Sequence, residues 1–230
     1  MKKLKPVFAV ILAIVVLVTA GVLPAAAQES NGDGLLFGDA NGDEEINAID
    51  FACLKMYLQG MTNEFSYNKA ICTMDLNGDG SLDALDLSLM KEFLLGLRST
   101  FPVSDIVNAM PEKVFEFNYT NYAWGQVNSG FYIDNSGNIH NYDNITNETN
   151  VVGTIPKAEL QEKYLVLIKA SFGKLTNITH GGFDMGSSTY TGYIANGRGI
   201  LLELYGDYRQ SNLSPYAEEL VVWMQGINKN

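Results

Sequence analysis

Two twelve-residue stretches of the chain carry oxygen-bearing side chains at matching places. In the first, Asp39, Asn41, Asp43, Asn47 and Asp50 stand at positions 1, 3, 5, 9 and 12. In the second, Asp75, Asn77, Asp79, Asp83 and Asp86 stand at the same positions. A curled loop turns alternate side chains inward, and a hard calcium ion takes six to eight oxygens at about 2.3–2.6 Å. The seventh position adds a backbone carbonyl, from Glu45 in one stretch and Ser81 in the other. Each stretch therefore holds the donors for one Ca²⁺, and the chain for two. A merely solvated acidic turn would not repeat this spacing.

The repeat extends beyond the donors. A shift of 36 residues also superposes Gly42 on Gly78, Ala48 on Ala84, Lys55 on Lys91, Leu58 on Leu94 and Gly60 on Gly96. Each loop must be followed by a helix: Phe51, Leu54 and Leu58 recur at i, i+3 and i+7, as do Leu87, Met90 and Leu94. Gly60 and Gly96 stand where such helices stop. The loops are EF-hand-like, but an EF-hand has a helix before its loop and Glu at position 12. Here the residues before Asp39 are glycine-rich and position 12 is Asp. The unit is a loop followed by a helix, used twice.

These residues resemble the type I dockerins of cellulosomes, over about 31–98. The resemblance implies an all-α, calcium-binding domain of three helices with internal twofold pseudosymmetry and two bound Ca²⁺. It also implies docking onto the cohesin module of a scaffolding protein. In that family the pair before the last loop Asp helps select the cohesin; here the pairs are Ala48-Ile49 and Ala84-Leu85, with Lys55 and Lys91 further along the helices. Because both copies carry nearly the same pair, docking in two orientations related by about a half-turn is expected. One departure stands out: the sixth loop position is Gly80 in the second copy but Glu44 in the first. A non-glycine residue in the sharp turn there costs about 1 kcal/mol, so the first site is expected to be the weaker.

Residues 31–98 hold 12 acids against 4 bases. Without metal the loops repel themselves, so calcium binding and folding of this domain should be coupled. Cys53 aligns with Leu89 and Cys72 with Leu36. Their apolar counterparts make both cysteines small core residues, although an exported protein could also pair them.

The whole chain has 230 residues, 47% hydrophobic and 18% charged, which disfavours disorder and fibrous repeats. Its net charge of −11 offers little to nucleic-acid phosphates. Residues 1–27 read as a signal peptide: lysines, an apolar run from Val7 to Leu23, then Ala25-Ala26-Ala27, the alternative being a retained N-terminal anchor, since the run is near bilayer length. The mature protein is expected to be secreted, extracellular and cellulosome-associated, and not transmembrane after cleavage.

Residues 99–112 read as a short junction, and 113–230 as a small α+β module with antiparallel hairpins and two helices. Val114–Tyr122 alternates as a strand; hairpins turn at Asn135-Ser136-Gly137 and at Asn196-Gly197. Pro156 opens a helix to about Ala170, and Ser214-Pro215 a last one whose Leu220, Trp223 and Met224 face inward. No catalytic motif stands out, and no catalytic residue is assigned. His180 with Asp184 and Ser187 or Ser188, and Glu203 with Asp207, are weak hydrolase candidates; His140 reads as a surface residue. Nine asparagines interleave with aromatics over 118–150. Tyr119, Tyr122, Trp124 and Tyr132 are the possible ligand aromatics, suited to carbohydrate or a protein surface. The reading is a cellulosome component in plant polysaccharide degradation whose C-terminal module binds carbohydrate or protein. The alternative is a small glycan-active hydrolase, a glycoside hydrolase or esterase, targeted the same way.

Overall fold

The computed structural model describes residues 34–123 and 125–227, with Asn196 described through its backbone alone. The leader expected at 1–27 and Trp124 lie outside them. Helices α1 (Ala48–Leu58) and α3 (Ala84–Leu94) follow the two loops, and one turn, α2 (Ala70–Thr73), stands between them. The ninth and twelfth loop residues also start the helices. Asn47 and Asp83 are N-caps, each in a capping box completed by Asp50 or Asp86. Gly60 and Gly96, at φ +67° and +69°, then turn the chain out of each helix.

The junction is structured. Pro102 opens helix α4 (Pro102–Asn108), where its missing N–H costs nothing. Phe101, Val103 and Val107 are buried against Leu76, Leu89, Met90 and Phe93 of the calcium-loop unit. Val103 N also donates to Leu76 O at 3.1 Å, which ties α4 to the second loop.

Beyond it, strands β1 (Lys113–Asn121), β2 (Val127–Asp134), β3 (Asn138–Asp143) and β4 (Glu148–Thr154) form an antiparallel meander. Helix α5 (Lys157–Ala170) follows, then β5 (Thr179–His180), β6 (Ser187–Ile194), β7 (Arg198–Gly206), β8 (Tyr208–Ser211) and α6 (Pro215–Ile227). The sheet order is β4-β3-β2-β1-β6-β7-β8-β5: β1 to β4 and β6 to β8 are meanders that meet at β1 and β6, and β5 crosses over to the far edge beside β8. Period-two alternation sorts the faces. Phe115, Phe131, Ile133, Tyr190 and Leu202 are buried with Leu160, Tyr164 and Leu167 of α5 and Ala217, Leu220 and Met224 of α6. Gly192 lets α5 approach, since a Cβ there would fall 2.3 Å from Leu167 Cδ1. Trp223, half-buried, meets the Phe115 ring edge-on at 5.1 Å and donates to Glu159 Oε1 at 2.8 Å.

Helix α5 serves two cores. Leu165, on its other side, is 4% exposed inside the cluster of Leu35, Phe37, Leu89 and Phe93. Gln161, nearly as buried, accepts from Leu35 N at 2.6 Å. Ile106 and Met110 pack against both cores. Among the described residues no helix is long and apolar enough to cross a membrane.

Candidate functional site

The two loops share most of their hydrogen bonds, but Asp39 Oδ1 accepts from Gly42 N at 2.6 Å where Asp75 Oδ1 has no such partner. Asp50 Oδ1 accepts from Ala40 N, and Asp86 Oδ1 from Leu76 N, both at 2.8 Å. The second oxygens accept from Asn47 N and Asp83 N, both at 2.9 Å. Asp39 Oδ2 accepts from Glu44 N at 3.1 Å where Asp75 Oδ2 accepts from Gly80 N at 2.8 Å. Asn41 and Asn77 bind Asp43 and Asp79 alike. These bonds curl the backbone of each loop around its acidic side chains.

The donor set fits calcium. Asp39, Asp43 and Asp50 bring carboxylate oxygens within 4.8 Å of one another. Among the described residues no other three acids, histidines or cysteines gather so closely. In the second loop Asp75 Oδ1 is buried without a hydrogen-bond partner. Such an oxygen is costly unless something binds it. Burial pushes the carboxyls of Asp50, Asp75 and Asp86 above their ordinary range, although backbone amides pull each back. For Asp50 the charges of Asp39 and Asp43 add to the push. A divalent cation relieves both the burial and the repulsion. Glu44 holds the turn at φ +64° where Gly80 stands at +91°.

All six expected docking residues are exposed: Ala48, Ile49 and Lys55 on α1, and Ala84, Leu85 and Lys91 on α3. Ile49 is 57% and Leu85 52% exposed, high for aliphatic side chains. The body of residues 113–227 packs elsewhere, through α4 and α5. Cys53 and Cys72 are free and half-buried, each beside a different cluster. Burial, with Glu162 adding to it, pushes the Cys72 thiol up to about 11, so it stays protonated at neutral pH.

In the C-terminal module the candidate aromatics do not share one surface. Tyr132 pairs with Glu116 on the sheet face turned away from the helices, whereas Tyr119 follows Phe115 and Phe117 on the other. Tyr119 donates to Met185 O, and Tyr122 is exposed just past β1. Around Tyr132 gathers a cluster that sequence reasoning missed. His140 stacks on it at 4.5 Å between ring centres, and His140 Nε2 lies 2.9 Å from Asp134 Oδ2. Lys113 lies over the Tyr132 and Tyr193 rings and binds Glu116 at 2.8 Å. Tyr193 donates to the other Glu116 oxygen. Asn118 Nδ2 donates to Tyr142 Oη at 2.8 Å and to Asn128 Oδ1 at 2.9 Å. Burial would raise Asp134, but hydrogen bonds from His140 and Asn138 outweigh it and hold the carboxyl below its ordinary value. Glu116 is held down likewise, burial being outweighed by Lys113 and Tyr193. The alternation of β1 foretold which face Glu116 and Asn118 take, but nothing in the sequence paired them with Tyr193.

The weak hydrolase candidates His180, Asp184, Ser187, Ser188 and Asp207 lie where the 180–187 segment meets Gly206 to Tyr208, but among the described residues no hydrogen bond joins their side chains. His180 is exposed against Tyr208. Asp207 Oδ1 accepts from Met185 N at 2.8 Å, while Glu203 lines a cavity of about 380 Å³ under α6 with Glu218 and Gln225.

Residues 37–95 match the family described as the dockerin type I domain. This segment of the chain is a type I dockerin, and type I dockerins bind calcium. Among solved structures, a ScaB dockerin of Acetivibrio cellulolyticus, in complex with the third cohesin of ScaC, is similar at 31% identity. The similarity covers 31% of this chain and 97% of that one, with a TM-score of 0.30. A cohesin–dockerin complex from Clostridium thermocellum is similar at 28% identity, covering 30% and 97%, with a TM-score of 0.29.

Proposed function

We propose that the protein is an exported cellulosome component that docks, with a Ca²⁺ in each loop, onto a scaffoldin cohesin. Export rests on the leader pattern of residues 1–27. The observation that carries the docking is the pair of matched, exposed patches on α1 and α3, left open by the rest of the chain. An isoleucine and a leucine exposed beside two lysines suit an apolar contact ringed by charge. Either patch can lead, so Ile49→Asp or Leu85→Asp alone should weaken capture only slightly while the double variant abolishes it. Titration of the full chain with immobilised type I cohesins, in calcium and in chelator, tests this. Capture that persists in chelator, or in the double variant, would sink it.

The C-terminal module is the cargo, and it acts as a binding body for plant-wall polysaccharide. Tyr132, Tyr142 and Tyr193, with Asn118 and Asn128, line a sheet face that neither helix covers, and aromatic rings with amides suit stacked, hydroxyl-rich sugars. Retention of the full chain on insoluble cellulose and xylan, beside a sugar-release assay, tests this. Retention lost in Tyr132→Ala without sugar release supports it. Release of sugar would favour the hydrolase instead.

A further inference from the structure

The last turn of α5 lies across the second calcium loop. Lys169 Nζ is 3.8 Å from Asp75 Oδ2, and a Cβ on Gly80 would fall 2.6 Å from Lys169 Cε. The other oxygen of Asp75 is the buried, unpartnered one. No acid of the first loop is in an ion pair among the described residues. We propose that Lys169 is a built-in cation that lowers the calcium affinity of the second loop and couples its loading to the seating of the cargo helix. This rests on the two-ion reading above.

Without metal, the ammonium offsets the mutual repulsion of Asp75, Asp79, Asp83 and Asp86. When calcium binds, the ion takes over that work and Lys169 is left beside a dication of its own sign. The repulsion cannot be escaped by moving the dockerin, because Leu165 and Gln161 hold α5 in place. The side chain does have room to turn. Cavities of about 200 and 210 Å³ flank it, the first lined also by Glu162, and its ammonium already lies 5.8 Å from the centre of the Tyr216 ring. Calcium entry at the second loop therefore displaces a contact from the cargo, a cost a dockerin without such a neighbour would not bear.

The test is calorimetric titration of full-length Lys169→Met, Lys169→Arg and Lys163→Met with calcium at low and high salt. Lys163 sits on the same helix but pairs with Glu219, so its loss controls for net charge. A unit charge beside a dication at the protein surface, screened by solvent, implies about a three- to tenfold tightening of one site in Lys169→Met. High salt should shrink the gain, Lys169→Arg should behave as wild type, and Lys163→Met should change either site less than about twofold. Two ions bound with both affinities unchanged, or one weakened, in Lys169→Met would overturn the proposal and leave the two-ion reading standing. One ion in wild type and two in Lys169→Met would support it. One ion in every variant would remove the two-ion reading and the proposal together.

Discussion

Leu165→Ala should destabilise the cargo and the dockerin together. Leu165 belongs by sequence to the cargo helix, yet it is 4% exposed inside the dockerin's core, among Phe37, Phe93 and Phe101. Truncating a buried leucine costs about 2–5 kcal/mol, and rigid aromatic walls hinder collapse into the gap. At about 3 kcal/mol, a body of this size should lose roughly 6–12 °C of melting temperature. The readout is tryptophan fluorescence, because both tryptophans, Trp124 and Trp223, lie in the cargo. In wild type the cargo's melting should also respond to calcium: a site held at a hundredfold over its Kd contributes about 2.7 kcal/mol. Chelator should therefore lower the tryptophan-reported midpoint, and Leu165→Ala should blunt that response by uncoupling the two cores. A tryptophan midpoint equal in calcium and chelator, with a separate dockerin transition by calorimetry, would refute the shared core.

Glu44→Gly should relieve the φ +64° turn of the first loop by about 1 kcal/mol, which calorimetric titration would read as about fivefold tighter binding at one site. It should be additive with Lys169→Met, since the two act on different loops; both affinities unchanged in Glu44→Gly would argue against the strain. Asp134 and Glu116 are held below the ordinary 3.8 and 4.5, so their contribution to stability is complete above those values and fades as pH falls through the lower folded ones. Asp134→Asn should accordingly lose stability at neutral pH and show a shallower decline below pH about 4, measured by the same fluorescence melts.

How much of this could be read from residues alone depended on the range of the interaction. The loops were legible because each donor set lies within twelve residues, and the capping boxes reuse the same side chains locally. Hairpins with Ser136-Gly137 and Asn196-Gly197 announce themselves by turn chemistry. Strand β4 did not, because its exposed Glu148–Thr154 has almost no alternation of burial to reveal it. The helix within the short junction was not legible because seven residues opened by a proline offer too little periodicity, although four of the residues 101–107 are buried. Leu165 reads as one more apolar residue of an amphipathic helix; that its side faces a second core is set by contacts more than 60 residues away. The cluster of Glu116, Lys113 and Tyr193 has the same origin, since it forms only when β6 pairs with β1.

The double use of α5 also decides which surfaces remain for partners. One side of the helix is spent on the sheet through Leu160, Tyr164 and Leu167, and another on the dockerin through Gln161 and Leu165. A cargo held at two sides of one helix and again by α4 cannot pivot on its junction as a domain on a flexible linker does. The open sheet face must then keep a constant orientation to the α1 and α3 patches, whichever patch engages the cohesin. Backbone amide relaxation should accordingly give one rotational correlation time for α1, α3 and the central strands β1 and β6 in calcium. A shorter time for the dockerin amides than for the sheet would mean that Leu165 and Gln161 do not hold the two together, and the orientation argument would fall with them.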